Sequence, residues 1–167
     1  MSQPLSKYCL DANVLIVPWN SYYSRKICPE YWQLLERLGH AERIFIPKAV
    51  EDEINHTEDK LAEWLKSSGI PVYPIEESVT QCISKIFDSD PTHQLLVDNI
   101  KGRSLADPWV IAHAIDQRAC VVTKEKKQIA RTDRIRIPNV CEKMDVRCID
   151  DFQFIDEIGI RFSCSMQ

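Results

Sequence analysis

Apolar and polar positions follow one another in blocks that suit short buried strands separated by helices. The apolar run Tyr8-Cys-Leu10 stops on Asp11 and resumes as a helix-like pattern through Asn13-Val-Leu-Ile16, so the first strand ends on an acid. Residues 18–29 carry Trp19, Tyr22, Tyr23, Arg25 and Lys26 in an irregular order. Such a mixture fits a loop with its rings tucked against the core, or a surface that stacks bases and holds phosphates. Pro29 suits the first turn of a helix running to Leu38, with Trp32, Leu35 and Leu38 at helical spacing and Gly39 as its stop. Residues 43–46 read as a buried strand ended by Pro47. A helix over 47–65 follows, with Val50, Ile54, Leu61 and Leu65 as one stripe and Gly69 as its close. Residues 72–75 predict a strand near the sheet edge, because Pro74 cannot donate to a ladder.

In the second half, helices are expected over 78–87 and 92–100, divided by the turn Asp88-Ser-Asp-Pro91, and Lys101-Gly-Arg-Ser104 reads as a loop. The helix expected over 106–118 is apolar nearly all round and therefore buried. Residues 119–123 form the clearest buried strand. Residues 135–138 fit a brief strand or an extended loop, 138–144 one or two helical turns, 146–149 a last strand and 150–158 a last helix. Strands separated by helices imply βαβ units with right-handed crossovers. The expected fold is α/β, with a mainly parallel sheet of four or five strands and helices on both faces. With 167 residues and no linker, repeat or low-complexity tract, residues 1–167 read as one domain.

Composition narrows the function. The apolar and charged fractions, 44% and 28%, are those of a globular protein in water. No apolar run approaches the roughly 20 residues that span a bilayer. The opening Met-Ser-Gln-Pro-Leu-Ser-Lys lacks the apolar centre of a signal peptide, so a cytoplasmic protein is expected. Seven cysteines are an odd number without C-x-x-C spacing, which favours reduced thiols over a disulfide frame. Histidines 40, 56, 93 and 113 show no clustered spacing, which argues against a His/Cys zinc site. A net charge of -4 argues against coating nucleic acid through bulk charge. Locally, however, Arg118, Lys124, Lys126, Lys127, Arg131, Arg134 and Arg136 face only Glu125 and Asp133 between residues 118 and 136. That stripe is either a solvated face or a surface that tracks phosphates.

Four acids stand where such a sheet would gather them. Asp11 follows the first strand, an acid of Glu51-Asp-Glu53 lies in the helix after the second, Asp107 opens the helix before the fourth, and Glu125 follows the fourth. Ligands in open α/β sheets collect beyond the carboxyl ends of the strands. Each acid also has a plainer reading: Asp11 as a strand end with Asn13 as a cap, Asp107 as an N-cap before Pro108, Glu51 or Glu53 as a first-turn charge. With about 100° per helical residue and Val50, Ile54 and Leu61 facing inward, Asp52 points to solvent. Glu51 and Glu53 flank the buried face, and periodicity leaves both open. His113, on the buried helix, reads as a hydrogen-bonded core residue.

Together, Leu10-Asp-x-Asn-x-Leu15, the acid within Val50-Glu-Asp-Glu-Ile54, Ala106-Asp-x-x-Ile-Ala112 with Ala114, and Val121-Val-Thr-x-Glu125 resemble the spaced acidic motifs of PIN-domain nucleases. Within that family the chain looks closest to an uncharacterised PIN-like branch marked by a segment such as Arg136-Ile-Pro-Asn-Val-Cys-Glu142. The resemblance implies Mg²⁺ or Mn²⁺ held by Asp11, Glu53, Asp107 and Glu125, with Glu53 rather than Glu51 as the second acid and with Asn13 and Thr123 as supports. One departure is that the usual fourth motif, Thr-x-Asp, is Thr123-Lys-Glu125 here. The activity implied is a metal-dependent ribonuclease acting on single-stranded RNA, whose backbone Lys124, Lys126, Lys127 and Arg131 would seat. Many small relatives of this kind are toxins of toxin-antitoxin pairs, so the resemblance also admits an antitoxin partner and a homodimer. Two other readings stay open. One is a haloacid-dehalogenase-like phosphatase, although Asn13 stands where those enzymes carry a second Asp. The other is a catalytically inactive PIN-like module that binds RNA.

Overall fold

A computed structural model describes residues 5–97, 105–129 and 134–166. Its centre is a five-stranded parallel sheet of order β3-β2-β1-β4-β5, built from β1 (Tyr8–Leu10), β2 (Ile44–Pro47), β3 (Val72–Tyr73), β4 (Cys120–Val122) and β5 (Cys148–Ile149). The helices α1 (Asn13–Asn20), α2 (Pro29–His40), α3 (Lys48–Thr57), α4 (Asp59–Ser67), α5 (Glu77–Ser89), α6 (Asp107–Gln117), α7 (Ile137–Lys143) and α8 (Asp151–Ile158) complete the α/β architecture. Parallel strands need crossovers, and each successive strand here is reached through at least one helix. β1, β2 and β4 are buried at every residue, as expected for strands covered on both faces.

The strand order contains one reversal. From β1 the chain adds β2 and β3 on one side, then returns to add β4 and β5 on the other. The crevice between the carboxyl ends of β1 and β4 is therefore the topological switch point, where open α/β sheets bind ligands.

Several element boundaries differ from those expected. The helix expected over 47–65 is broken at Glu58 (φ -144°, ψ 82°) into α3 and α4. The break follows Asn55-His-Thr57, where the His56 ring meets the Asp52 carbonyl and Thr57 Oγ1 donates to the Glu53 carbonyl. Side chains that bond nearby carbonyls compete with helix continuation. Within residues 18–29, α1 continues to Asn20 with Pro18 inside it, and the rings do pack inward: Trp19 lies 4.8 Å from Trp32 and Tyr23 lies 4.8 Å from Tyr31. β3 ends at Tyr73, before Pro74. The helix expected over 92–100 is a 3₁₀ segment over Pro91–Leu96, capped by Asp90 accepting from the Thr92 N–H, while residues 98–104 lie outside the described residues.

Gly39 does not stop α2, which runs one residue further to His40. A Cβ at Gly39 would stand 2.8 Å from Ile70 Cα and 3.1 Å from Ile70 N. The glycine lets α2 meet the backbone that leads into β3. Gly39→Ala is expected to destabilise the fold by about 1–3 kcal/mol through this clash, despite the better helix propensity of alanine. Urea unfolding measures it, and an unchanged or raised midpoint would show that Ile70 can move aside.

Candidate active site

Register places the first pair of site residues. Leu10 pairs with Val122 across β1 and β4, so Asp11 and Thr123 leave the sheet side by side, and the Asp11 N–H still donates to the Val122 carbonyl at 3.0 Å. Thr123 Oγ1 donates to Asp11 Oδ2 at 2.8 Å and accepts from the Glu125 N–H at 3.1 Å and from Asn13 Nδ2 at 3.4 Å. That uses the hydroxyl's one donor and both lone pairs. Asn13 Oδ1 accepts from the Lys124 N–H at 2.9 Å, and Asp11 Oδ1 accepts from the Ala12 N–H at 2.7 Å. Asn13 is thus a clamp between the ends of β1 and β4 and not a helix cap, since the cap position of α1 is Ala12.

Asp107 is the first residue of α6, and Ala106 occupies the cap position. Its carboxylate makes no capping bond, so the capping explanation does not hold. α6 is buried along most of its length, which fixes the direction of this acid. His113 on the same helix is buried, with its ring nitrogens 2.8 Å from the Trp109 carbonyl and 3.2 Å from the Pro74 carbonyl, a structural placement.

α3 separates the two glutamates that periodicity left open. Lys48 pairs with Glu51 at 2.6 Å and with Asp52 at 2.8 Å, and Asp52 is exposed. Glu53 is half-buried, its carboxyl raised above the usual range by burial, and its charge is felt by both Asp11 and Asp107.

The four acids are near enough for the charges of the others to act on Asp11 and Asp107. Burial, with repulsion from Glu125 and Glu53, pushes Asp11 up to about 7 against the opposing pull of its Thr123 and Ala12 hydrogen bonds. Burial again leads at Asp107, where Asp11, Glu125 and Glu53 add repulsion and Arg134 offsets part of it, leaving the group at about 8. Burial and like charges thus disfavour ionisation at the carboxyl ends of β1 and β4.

Two arginines that the sequence placed in the basic stripe enter this cluster. Arg134 Nη2 lies 3.4 Å from Asp107 Oδ2 and 3.4 Å from Glu125 Oε1, and Arg136 Nη1 lies 3.3 Å from Glu125 Oε1. The Ile137 N–H at the start of α7 donates to Glu125 Oε2 at 2.9 Å, and Asn139 holds the loop before it through two bonds of 3.0 Å with the Gln128 backbone. The only sequence signal for these contacts was that Arg136 opens the segment ending at Glu142. Nothing in the spacing linked Arg134 or Arg136 to Glu125.

The remaining stripe is divided. Lys124 Nζ lies 3.2 Å from buried Asp151 and 2.8 Å from the Tyr22 hydroxyl, and sits over the Tyr22 and Phe152 rings. Lys127 pairs with Glu142 at 2.6 Å, and Lys126 is exposed. Arg131 lies outside the described residues.

The raised acids make a signed prediction for the metal-free protein. An unfolded Asp ionises near 3.8, whereas folded Asp11 and Asp107 keep their protons to about 7 and about 8. Between those values the native state binds more protons, so stability is complete below the lower limit and is lost as pH rises through the upper ones. In EDTA the melting temperature should therefore fall as pH rises from about 5 to about 8. Asp107→Asn removes one ionisable group and should flatten that fall. Equal slopes for wild type and Asp107→Asn would show that the acids do not repel one another.

Among curated proteins nothing matches the chain. A solved structure of VapBC2 from Rickettsia felis bound to a DNA fragment from their promoter matches at a TM-score of 0.54 and 16% identity, over 86% of this chain and 97% of that one. At that identity the likeness concerns the fold, which is PIN-like: a parallel five-stranded sheet with helices. No helix among the described residues is long and apolar enough to cross a membrane. The family model described as Domain of unknown function (DUF4411) matches residues 8–162, and the chain belongs to that family.

Proposed function

We propose that the protein is a metal-dependent phosphodiesterase that cleaves single-stranded RNA at the carboxyl ends of β1 and β4. The observation that carries this reading is the convergence of Asp11, Glu53, Asp107 and Glu125 at the switch point, with Asp11 and Asp107 raised by burial and by the other acids. A cluster of carboxylates at this density is a poor arrangement for stability alone and a good one for a cation.

The donor set fits Mg²⁺ or Mn²⁺, because these acids offer hard carboxylate oxygens. Asp11, Glu53 and Asp107 would hold the ion, while Glu125, the acid at the fourth position of the resemblance, is engaged by Arg134, Arg136 and the Ile137 N–H. When bound, such an ion lowers the pKa of a coordinated water, holds the scissile phosphate and stabilises charge on the leaving oxygen. The chain's own part is to fix the acids. Thr123 orients Asp11, Asn13 ties the β4 loop to α1, and buried α6 aims Asp107. The likeness to the VapBC2 structure, solved with promoter DNA, supports adding to this proposal a toxin role and an antitoxin as protein partner; a homodimer is part of the proposal on the family resemblance alone.

One observation favours a non-cleaving RNA-binding module instead: both Glu125 oxygens accept hydrogen bonds from Arg134, Arg136 or the Ile137 N–H. The phosphatase reading loses support, since Asn13 serves as an amide clamp on the Lys124 N–H.

Asp11→Asn keeps size but loses charge, and it is expected to reduce Mn²⁺-dependent RNA cleavage by orders of magnitude while leaving circular dichroism unchanged. Glu53→Gln should lose activity on a similar scale, and Glu51→Gln, whose parent carboxylate pairs with Lys48, should stay near wild type. Wild-type rates for Asp11→Asn would refute the nuclease site. Equal losses for both glutamines would refute the distinction between the helix acids. RNA retained uncut by wild type in Mn²⁺ would establish the binding module.

A further inference from the structure

We infer that Arg134 and Arg136 form a phosphate-binding pair at the edge of the acid cluster, and that Glu125 is their positioning residue, not a metal ligand. This rests on the nuclease reading above and assigns the RNA backbone contact within it.

The geometry of Glu125 comes first. Oε2 accepts from the Ile137 N–H at 2.9 Å, while Oε1 faces Arg134 Nη2 at 3.4 Å and Arg136 Nη1 at 3.3 Å. Both oxygens are therefore engaged on the α7 side. The bond from the Glu125 N–H to Thr123 Oγ1 fixes the backbone as well, so this carboxylate is held from two directions. Asp11 also has both oxygens engaged, but by neutral donors, Thr123 and the Ala12 N–H at the start of α1, whereas Glu125 meets two guanidinium groups; among the described residues the only basic side chain paired with Asp11, Glu53 or Asp107 is Arg134, on Asp107.

The arginines are held in a different way. Their contacts are longer than the ~2.7–2.9 Å of strong charge-assisted bonds, so the field of the acids retains them more than tight bidentate pairing does. About a third of each side chain is exposed, 33% for Arg134 and 36% for Arg136. A guanidinium is always charged and presents a planar fork of donors that matches phosphate oxygens, and two of them here share one carboxylate oxygen. A phosphodiester arriving at the acid cluster would meet these two cations beside it. The lysines of the same stripe are placed otherwise, Lys124 on Asp151, Lys127 on Glu142 and Lys126 exposed. Among the described residues the arginine pair is thus the part of the stripe that touches the acids, and backbone contact belongs to it.

Two measurements test this. The first is binding of a short fluorescent single-stranded RNA in EDTA, followed by anisotropy over a series of salt concentrations. Arg134→Gln and Arg136→Gln should each weaken binding about tenfold, as expected for loss of a hydrogen bond to a charged group. Each should also lower the slope of log K against log salt by about 0.7. Arg136→Lys, which keeps the charge, should retain the slope. The second is calorimetric titration with Mn²⁺ alone, in which Glu125→Gln should stay within a few-fold of wild type while Asp11→Asn and Asp107→Asn lose the metal. Wild-type affinity and slope in folded Arg134→Gln and Arg136→Gln overturn the phosphate pair. Loss of Mn²⁺ by Glu125→Gln to the extent seen for Asp11→Asn overturns the positioning role. Full Mn²⁺ binding by Asp11→Asn would instead count against the nuclease reading, and the RNA titration would still decide the arginine pair.

Discussion

The hydrogen bond from Thr123 to Asp11 is the contact on which the site depends, and it exists because β1 and β4 pair in parallel and in register. Leu10 opposite Val122 leaves the next residue of each strand side by side at the carboxyl edge. One hydroxyl then joins three backbone segments: the end of β1, the first turn of α1 through Asn13, and the loop carrying Glu125. A one-residue slip in this pairing would turn every β1 side chain to the other face and part Asp11 from Thr123. Register and site are in this sense one constraint.

That constraint collects charge at a place where water is scarce. Unpaired charges are costly to bury, and native structures relieve them by protonation, pairing or coordination. Burial and repulsion pull Asp11 and Asp107 toward the protonated form, and Arg134 reaches Asp107 and Glu125 as a pairing partner. A divalent cation that binds only the folded chain would supply the third form of relief and stabilise it by mass action. The arginines and the cation would then serve the same acids on different sides.

Much of this was legible in the chain because strands and buried helices leave strong local signals. The apolar run ending on Asp11, the all-round apolar character of α6 and the run Cys120-Val-Val122 placed the strands and acids in the right order. Other features were hidden for physical reasons. The apolar stripe from Val50 to Leu65 continues in phase across Glu58, so periodicity alone could not reveal the break between α3 and α4. Gly39 looked like a stop because glycine often is one, whereas its actual constraint is Ile70, distant in sequence. Arg134 and Arg136 read as members of a basic stripe because their partners, Asp107 and Glu125, are fixed by tertiary structure and by no spacing. Glu51 and Glu53 flank the buried face equally on a helical wheel; Glu51 pairs with Lys48 one turn back on its own helix, and the placement of α3 brings the charge of Glu53 within reach of Asp11.

An all-oxygen site at a topological switch point, latched by one threonine and bordered by two arginines, suits phosphodiester chemistry that needs a metal. Diffraction from crystals soaked in MnCl₂, with data collected at the manganese absorption edge, examines that claim most directly. The proposed site predicts an anomalous peak bonded to carboxylate oxygens of Asp11, Glu53 and Asp107. A fully soaked crystal without a peak at these three acids, or with manganese held elsewhere on the chain, would contradict it.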